Sequence, residues 1–154
     1  MISRAKSLKT ILVKHPFLAG LPDKYLDLLS GCAANTRFAE GEYLFHSGEH
    51  ADKFYLLRQG RATIEMEAHH RKHTVIQTLD AGEFLGWSWL IPPYRWHFAA
   101  RASEPVLAFS FDGKCIRGKI EKDHELGYEM LRRFSMMMAK RLEEALPQIV
   151  GLYR

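Results

Sequence analysis

Between residues 34 and 112, glycine closes one short β-type run after another. Thr36-Arg37-Phe38 gives way to Glu40-Gly41-Glu42, then Tyr43-Leu44-Phe45 to Ser47-Gly48-Glu49. Phe54-Tyr55-Leu56-Leu57 runs to Gln59-Gly60, Ala62 to Met66 alternates with period two, and His73 to Leu79 ends at Asp80-Ala81-Gly82. Two more runs follow, Phe98 to Ala102 and Val106 to Phe111. In the last, Val106, Ala108 and Ser110 lie opposite Leu107, Phe109 and Phe111. Short alternating runs with turn residues at this spacing predict an antiparallel barrel or sandwich, because each turn needs the positive φ or close backbone approach that glycine allows.

Helical patterns flank this region. In residues 5–14, Leu8, Ile11 and Leu12 share a helical face, and His15-Pro16 stops the helix because a residue preceding proline avoids the α region. A second helix opens at Leu21-Pro22-Asp23, with Tyr25, Leu26, Leu28 and Leu29 on its apolar side. After Asp112 the pattern returns to helix. Asp123 is an N-cap for a long helix expected to run to about Ala145 and to stop before Pro147. Its apolar residues form two stripes, Leu131, Phe134, Met138, Leu142 and Ala145 beside Leu126, Met130 and Met137, a width suited to two contact surfaces. The expected organisation is one domain over residues 1–154: N-terminal helices to 33, a jelly-roll-like β-barrel over 34–112, and C-terminal helices over 113–146. The fold class is mainly β with flanking helices.

A chain of 154 residues buries enough surface to fold without a disulfide or metal staple. Cys32 and Cys115 therefore read as free thiols of a reducing cytoplasm. Ile11-Leu12-Val13 is too short for a signal peptide, and no run approaches a membrane span, so a soluble, cytoplasmic protein without a membrane partner is expected. The net charge of +4 is too small to specify nucleic acid, and Arg4, Lys6, Lys9 and Lys14 read as a solvated helix face.

The string EGEYLFHSGEHADKFYLLRQGRATIEM over residues 40–66 is more particular than a generic β pattern. It resembles the opening strands of the cyclic-nucleotide-binding domain family, the effector-domain type of the cyclic AMP receptor protein. Gly41, Gly48, Asp52, Tyr55, Leu56, Gly60 and Ala62 occupy that family's strand and turn positions. The segment VIQTLDAGEFLG, residues 75–86, resembles its next strand and the Phe-Gly lead-in to the ligand site. The resemblance covers residues 15 to about 145. It implies a ligand cassette in residues 82–102, where helix N-terminal amides and an arginine receive a cyclic phosphate and a glutamate accepts the ribose hydroxyl. Here Gly86 matches the last lead-in glycine, and Ser88, Trp89 and Leu90 are placed to supply the amides.

The cassette departs from the family at two places. Trp87 stands at the ribose-binding glutamate position. Counting back from Ala102, Trp96 falls at the arginine position, so Arg95 matches only with a shift of one residue and is followed by Trp96 and His97. Three roles stay open for Arg95: gripping a phosphate, binding another anionic ligand or partner, or stacking on Trp87, Trp89 or Trp96. The tryptophans themselves read either as packing that fills an emptied pocket or as an aromatic-lined pocket or docking surface. The candidate ligand-binding set is Gly86, Trp87, Ser88, Trp89, Leu90, Arg95, Trp96 and His97.

No metal or catalytic constellation competes with this reading. His69, His70 and His73 cluster in an expected hairpin turn over 67–72, His46 stands alone, and His97 reads as a packed strand residue in preference to a ligand. The two cysteines lack a base at motif spacing, and there is no Gly-x-Ser-x-Gly elbow, P-loop or GxGxxG. The resemblance thus implies a non-enzymatic, ligand-responsive regulatory module that binds cyclic AMP, cyclic GMP or a related small anion. In the family, the ligand repositions the C-terminal helix. Here residues 123–145 are expected to signal to a separate, unknown effector protein and to form a homodimer. The residues after Pro147 leave no room for a helix-turn-helix, so DNA binding by this chain is not expected. The alternative is a module that keeps the fold for protein–protein interaction without a nucleotide.

Overall fold

A computed structural model describes residues 4–67 and 73–152. Helix α1 spans Arg4–Leu12, a 3-10 turn Pro16–Leu18, and α2 Asp23–Ser30. The strands are β1 (Ala33–Phe38), β2 (Tyr43–Phe45), β3 (Lys53–Gln59), β4 (Arg61–Met66), β5 (Thr74–Asp80), β6 (Phe84–Leu85), β7 (Ala99–Ala102) and β8 (Val106–Asp112). Two helices close the chain, α3 (Gly113–Lys122) and α4 (His124–Leu152). Every expected strand is present, and β6, two residues long, is the one that the sequence pattern was too short to announce.

The strands form two four-stranded antiparallel sheets, ordered β1-β8-β3-β6 and β2-β7-β4-β5. Phe54-Tyr55-Leu56-Leu57 of β3 is buried throughout because both faces of its sheet are covered. Tyr55 and Leu57 join Ala62, Leu79, Ala100, Val106 and Ala108 between the sheets. Phe54 and Leu56 point the other way, with Phe84, Phe109 and Phe111, under the helices. Phe134 of α4 sits at the centre of that second cluster, with ring centroids 4.6 Å from Phe84, 5.0 Å from Phe17 and 5.4 Å from Phe54.

The turns need their glycines for definite reasons. Gly60, at φ +85°, lets the β3–β4 hairpin pass Pro105, whose carbonyl oxygen would lie 2.0 Å from any Cβ placed there. His15, at the expected helix stop, accepts from the Phe17 amide through Nδ1 and donates from Nε2 to the Leu57 carbonyl (2.8 Å), tying the N-terminal helices to β3.

Five expectations need correction. Cys32 and Cys115 are not free thiols: their Cα atoms lie 5.7 Å apart and the pair forms a disulfide joining the start of the β1 region to α3. The thiol-based argument for a reducing compartment therefore loses its premise. No helix among the described residues is long and apolar enough to cross a membrane.

The last helix does not stop before Pro147 but carries it inside α4. Proline there removes one N–H and crowds the carbonyl four residues back. Glu143 and Pro147 are both exposed, so water can serve the freed carbonyl.

The two stripes of α4 are also grouped differently. Leu126, Met130 and Phe134 are buried, Met137 and Met138 pack against the same core, and Leu131 and Leu142 are exposed. The expected stripe of Leu126, Met130 and Met137 faces the protein, joined by Phe134 and Met138 of the other, which is split between the core and solvent. Asp123 does cap α4, accepting from the Leu126 amide at 3.1 Å.

His46 is not isolated. It stacks on Tyr43 and pairs with Glu67 at 3.1 Å. His73 pairs with the fully buried Glu65, which also binds Arg101, each at 3.1 Å. His69 and His70 lie outside the described residues. Lys9 bridges Asp23 and Asp27 of α2 at 2.8 and 2.7 Å, so one member of the N-terminal basic run is structural rather than solvated.

Candidate functional site

The last turns of α4 lie across the β4–β5 side of the second sheet, and between them is a cavity of about 940 Å3. Ile64 and Met66 of β4, Val75 and Gln77 of β5, and Phe45 of β2 form its floor. Met138, Arg141, Ala145 and Gln148 of α4 form its roof. Gly86, Trp87, Ser88, Trp96, His97 and Phe98 close one end. A mainly apolar hollow with a few converging polar groups is the usual form of a small-molecule site.

Of the residues expected to bind ligand, the fold brings Gly86, Trp87, Ser88, Trp96 and His97 to this cavity. Trp89, Leu90 and Arg95 are not among its lining. Trp89 is buried instead: it stacks on Phe54 (4.7 Å between centroids), and its Nε1 donates to the Gly86 carbonyl at 3.2 Å. The expected short helix is a pair of turns, closed by Leu90 N to Trp87 O (3.1 Å) and Ile91 N to Ser88 O (3.4 Å). With Pro92-Pro93 immediately downstream, the segment has no donors or length to extend it.

The three tryptophans divide the two roles read for them. Trp96 is packing: it lies flat against Phe45 and beneath Gly86, whose φ of +104° and missing Cβ make room for the indole. Trp87 is half-buried and stacks on His97 at 5.4 Å, so His97 is a partly stacked, exposed pocket residue and not a packed strand residue.

Arg95 makes an isolated bridge with His50, and its exposed side chain donates to the Gly48 carbonyl at 2.8 Å. Tyr94 adopts a left-handed backbone (φ 56°) under the Arg117 guanidinium, 4.3 Å from its ring. Arg117 also donates to the Trp89 carbonyl, so α3 holds the cassette from behind.

Two arginines were not singled out by sequence reasoning, Arg117 and Arg141. Arg141 lies seven residues after Phe134 and three after Met138, so the helical period alone would have placed it on the inward row. Its guanidinium lies 4.1 Å over the Phe84 ring and donates through Nη2 to the Phe84 carbonyl, while Nε is buried with no hydrogen-bond partner among the described residues. Burial lowers its pKa to about 10, partly offset by the charges of Glu83 and Glu144, so it remains protonated at neutral pH.

The sequence profile of the cyclic nucleotide-binding domain matches residues 35–123, more than half of the chain. The chain belongs to the cyclic nucleotide-binding domain family. Among solved structures, it is similar to a Geobacter metallireducens GS-15 protein named for cyclic nucleotide binding (25% identity, TM-score 0.77, 92% of this chain and 99% of that one). It shares its fold with the sensor domain of the transcriptional regulator DNR from Pseudomonas aeruginosa (19% identity, TM-score 0.71, covering 91% and 94%). It also shares it with the regulatory subunit of a cAMP-independent protein kinase A from Trypanosoma brucei (17%, TM-score 0.69, covering 86% and 47%).

Proposed function

We propose that this chain is a non-enzymatic regulatory module that binds cyclic AMP, cyclic GMP or a related small anion in the cavity beneath α4, and signals through that helix. The observation that carries the reading is the cavity itself, because its roof is the helix that would have to move. A ligand touching the sheet and α4 together binds one helix position better than another and shifts the population toward it. Gly86, Trp87, Ser88, Trp96 and His97 contact the ligand in this reading, while Trp89 and Leu90 hold the turn that presents them.

One flank of α4 is the output surface. Tyr128, Leu131, Leu142, Leu146 and Ile149 are exposed along it, Leu142 and Ile149 at the edge of the cavity, and recur at spacings close to those of a coiled-coil seam. We assign this seam to a second copy of the chain, with an effector protein reading the resulting dimer.

A second reading has its own support. Trp96, stacked under Phe45 in the arginine position, leaves the family's phosphate place filled, as expected of a domain that keeps the fold to bind proteins. Isothermal titration of nucleotide-stripped protein with cyclic AMP and cyclic GMP separates the two. Micromolar binding, weakened by Trp87→Ala, supports the ligand-responsive module. Silence with both nucleotides, together with capture of a defined protein partner, favours the interaction module.

A further inference from the structure

We propose that Arg141 of α4 is the anion-binding residue of this cavity, and that its ligand is a small planar ring system carrying one phosphate, sulfonate or carboxylate. The proposal rests on the ligand-binding reading above and deepens it, because it places the charge contact on the helix that signals.

Three observations converge. The family's arginine position is unavailable: Trp96 fills it, and Arg95, one residue earlier, spends its Nη1 donor on the Gly48 carbonyl and does not line the cavity. Arg141 does line the cavity, on its roof, and reaches the Phe84 carbonyl at the lead-in to the cassette.

Arg141 is also incompletely satisfied. A guanidinium has five N–H donors and no acceptor, and when shielded from water it needs a counter-ion or a full set of acceptors. Arg133, two turns earlier on α4, has a counter-ion: it pairs with Glu129 at 3.5 Å and donates to the Phe17 carbonyl at 2.6 Å, although its Nε, like that of Arg141, makes no hydrogen bond among the described residues. Arg141 has one carbonyl and the face of Phe84, its Nε is buried and unpartnered, and no described carboxylate forms an ion pair with it. Glu83 and Glu144 act on it only at a distance. An anionic ligand supplies the missing partner.

The rest of the wall describes the ligand's body. Trp87 stacked on His97 offers an aromatic face, and Ile64, Met138 and Phe98 offer apolar contact. Once held by Arg141 and resting on Trp87, such a ligand fastens α4 to the cassette. The helix of this protein would then grip the charge directly, where the family pattern places that charge on the barrel.

The test compares charged probes with uncharged counterparts of the same shape: cyclic AMP and cyclic GMP against adenosine and guanosine, and anilinonaphthalene sulfonate against phenylnaphthylamine. Each is titrated into wild type, Arg141→Gln, Arg141→Lys and Arg95→Gln, with unfolding midpoints recorded. The expected result is an anion preference of about ten- to hundredfold in wild type, the range of a charge-assisted hydrogen bond. It should vanish in Arg141→Gln, survive in part in Arg141→Lys, and persist in Arg95→Gln. If Arg141→Gln does not fold, partial retention in Arg141→Lys, which keeps the charge and loses the fork, carries the decision. An anion preference removed by Arg95→Gln and untouched at Arg141 overturns this proposal and leaves the ligand-binding module standing. An Arg141-dependent preference for the sulfonate alone sustains the proposal and overturns the cyclic-nucleotide ligand. Equal binding of charged and uncharged probes overturns both.

Discussion

The indole of Trp96 lies on the ring of Phe45 with centroids 3.7 Å apart and planes within 7°, and Gly86 is the residue that lets it lie there. A Cβ on Gly86 would stand 2.7 Å from the Trp96 ring, at a backbone φ of +104° that side chains avoid. Gly86→Ala is therefore expected to destabilise the protein by about 1–3 kcal/mol. Urea unfolding measures the loss, and a red shift of the native tryptophan emission would report the displaced indole. An unchanged midpoint would mean that the stack adjusts freely.

The Cys32–Cys115 bridge closes a loop with a sequence separation of 83, for which chain-entropy arguments give about 4 kcal/mol of stabilisation. Thiol titration of the unreduced, denatured protein should find almost no free thiol, and two after reduction. Reduction or Cys115→Ala should lower the urea midpoint. Two thiols before reduction would return these cysteines to the role expected from composition.

His15 titrates against folding. Burial lowers its pKa, and the Arg58 charge adds to this, while its bond to the Leu57 carbonyl opposes it. The unfolded chain then binds a proton at higher pH than the native one. Its contribution is full above the unfolded value of 6.5 and is lost as pH falls below it toward the depressed native value. Unfolding midpoints should drop between about pH 7.5 and pH 5.5, and His15→Gln should flatten that slope while lowering the plateau. A slope identical to wild type would remove His15 from the account.

Phe134 joins α4 to both the N-terminal helices and the barrel through Phe17, Phe54, Phe84 and Trp89. Phe134→Ala should cost about 3–5 kcal/mol. Amide exchange should rise first in α4, because that helix loses its central anchor while the sheets keep their own cluster. Uniform destabilisation without preferential opening of α4 would contradict this division.

Leu131 is 47% exposed near the start of the apolar flank of α4. Leu131→Glu should leave the unfolding midpoint of the isolated chain within about 0.5 kcal/mol. It should also convert a sedimenting dimer to a monomer. A wild type that sediments as a monomer at high concentration would dismiss the seam.

The strands and their succession along the chain, the turn glycines and the flanking helices were legible because each depends on neighbours a few residues apart. Alternation within Val106 to Phe111, the stop at His15-Pro16 and the cap at Asp123 all state local geometry. The candidate site was legible only in outline. Gly86, Trp87, Ser88, Trp96 and His97 reached the cavity, yet the direction in which Arg95 points depended on its bridge to the segment at Gly48 and His50, more than forty residues away. The disulfide was illegible for the same reason, since composition cannot say that residues 32 and 115 meet.

What the chain encodes locally is thus its elements and their order, because turn chemistry and periodicity act over a few residues. Which groups share the cavity was decided by packing between distant segments. Arg141 is an unremarkable helix residue until α4 lies over Phe84, and Trp96 is a departure from a pattern until Phe45 receives it. Burial and the lack of a counter-ion, which give Arg141 its chemistry, exist only in the folded chain.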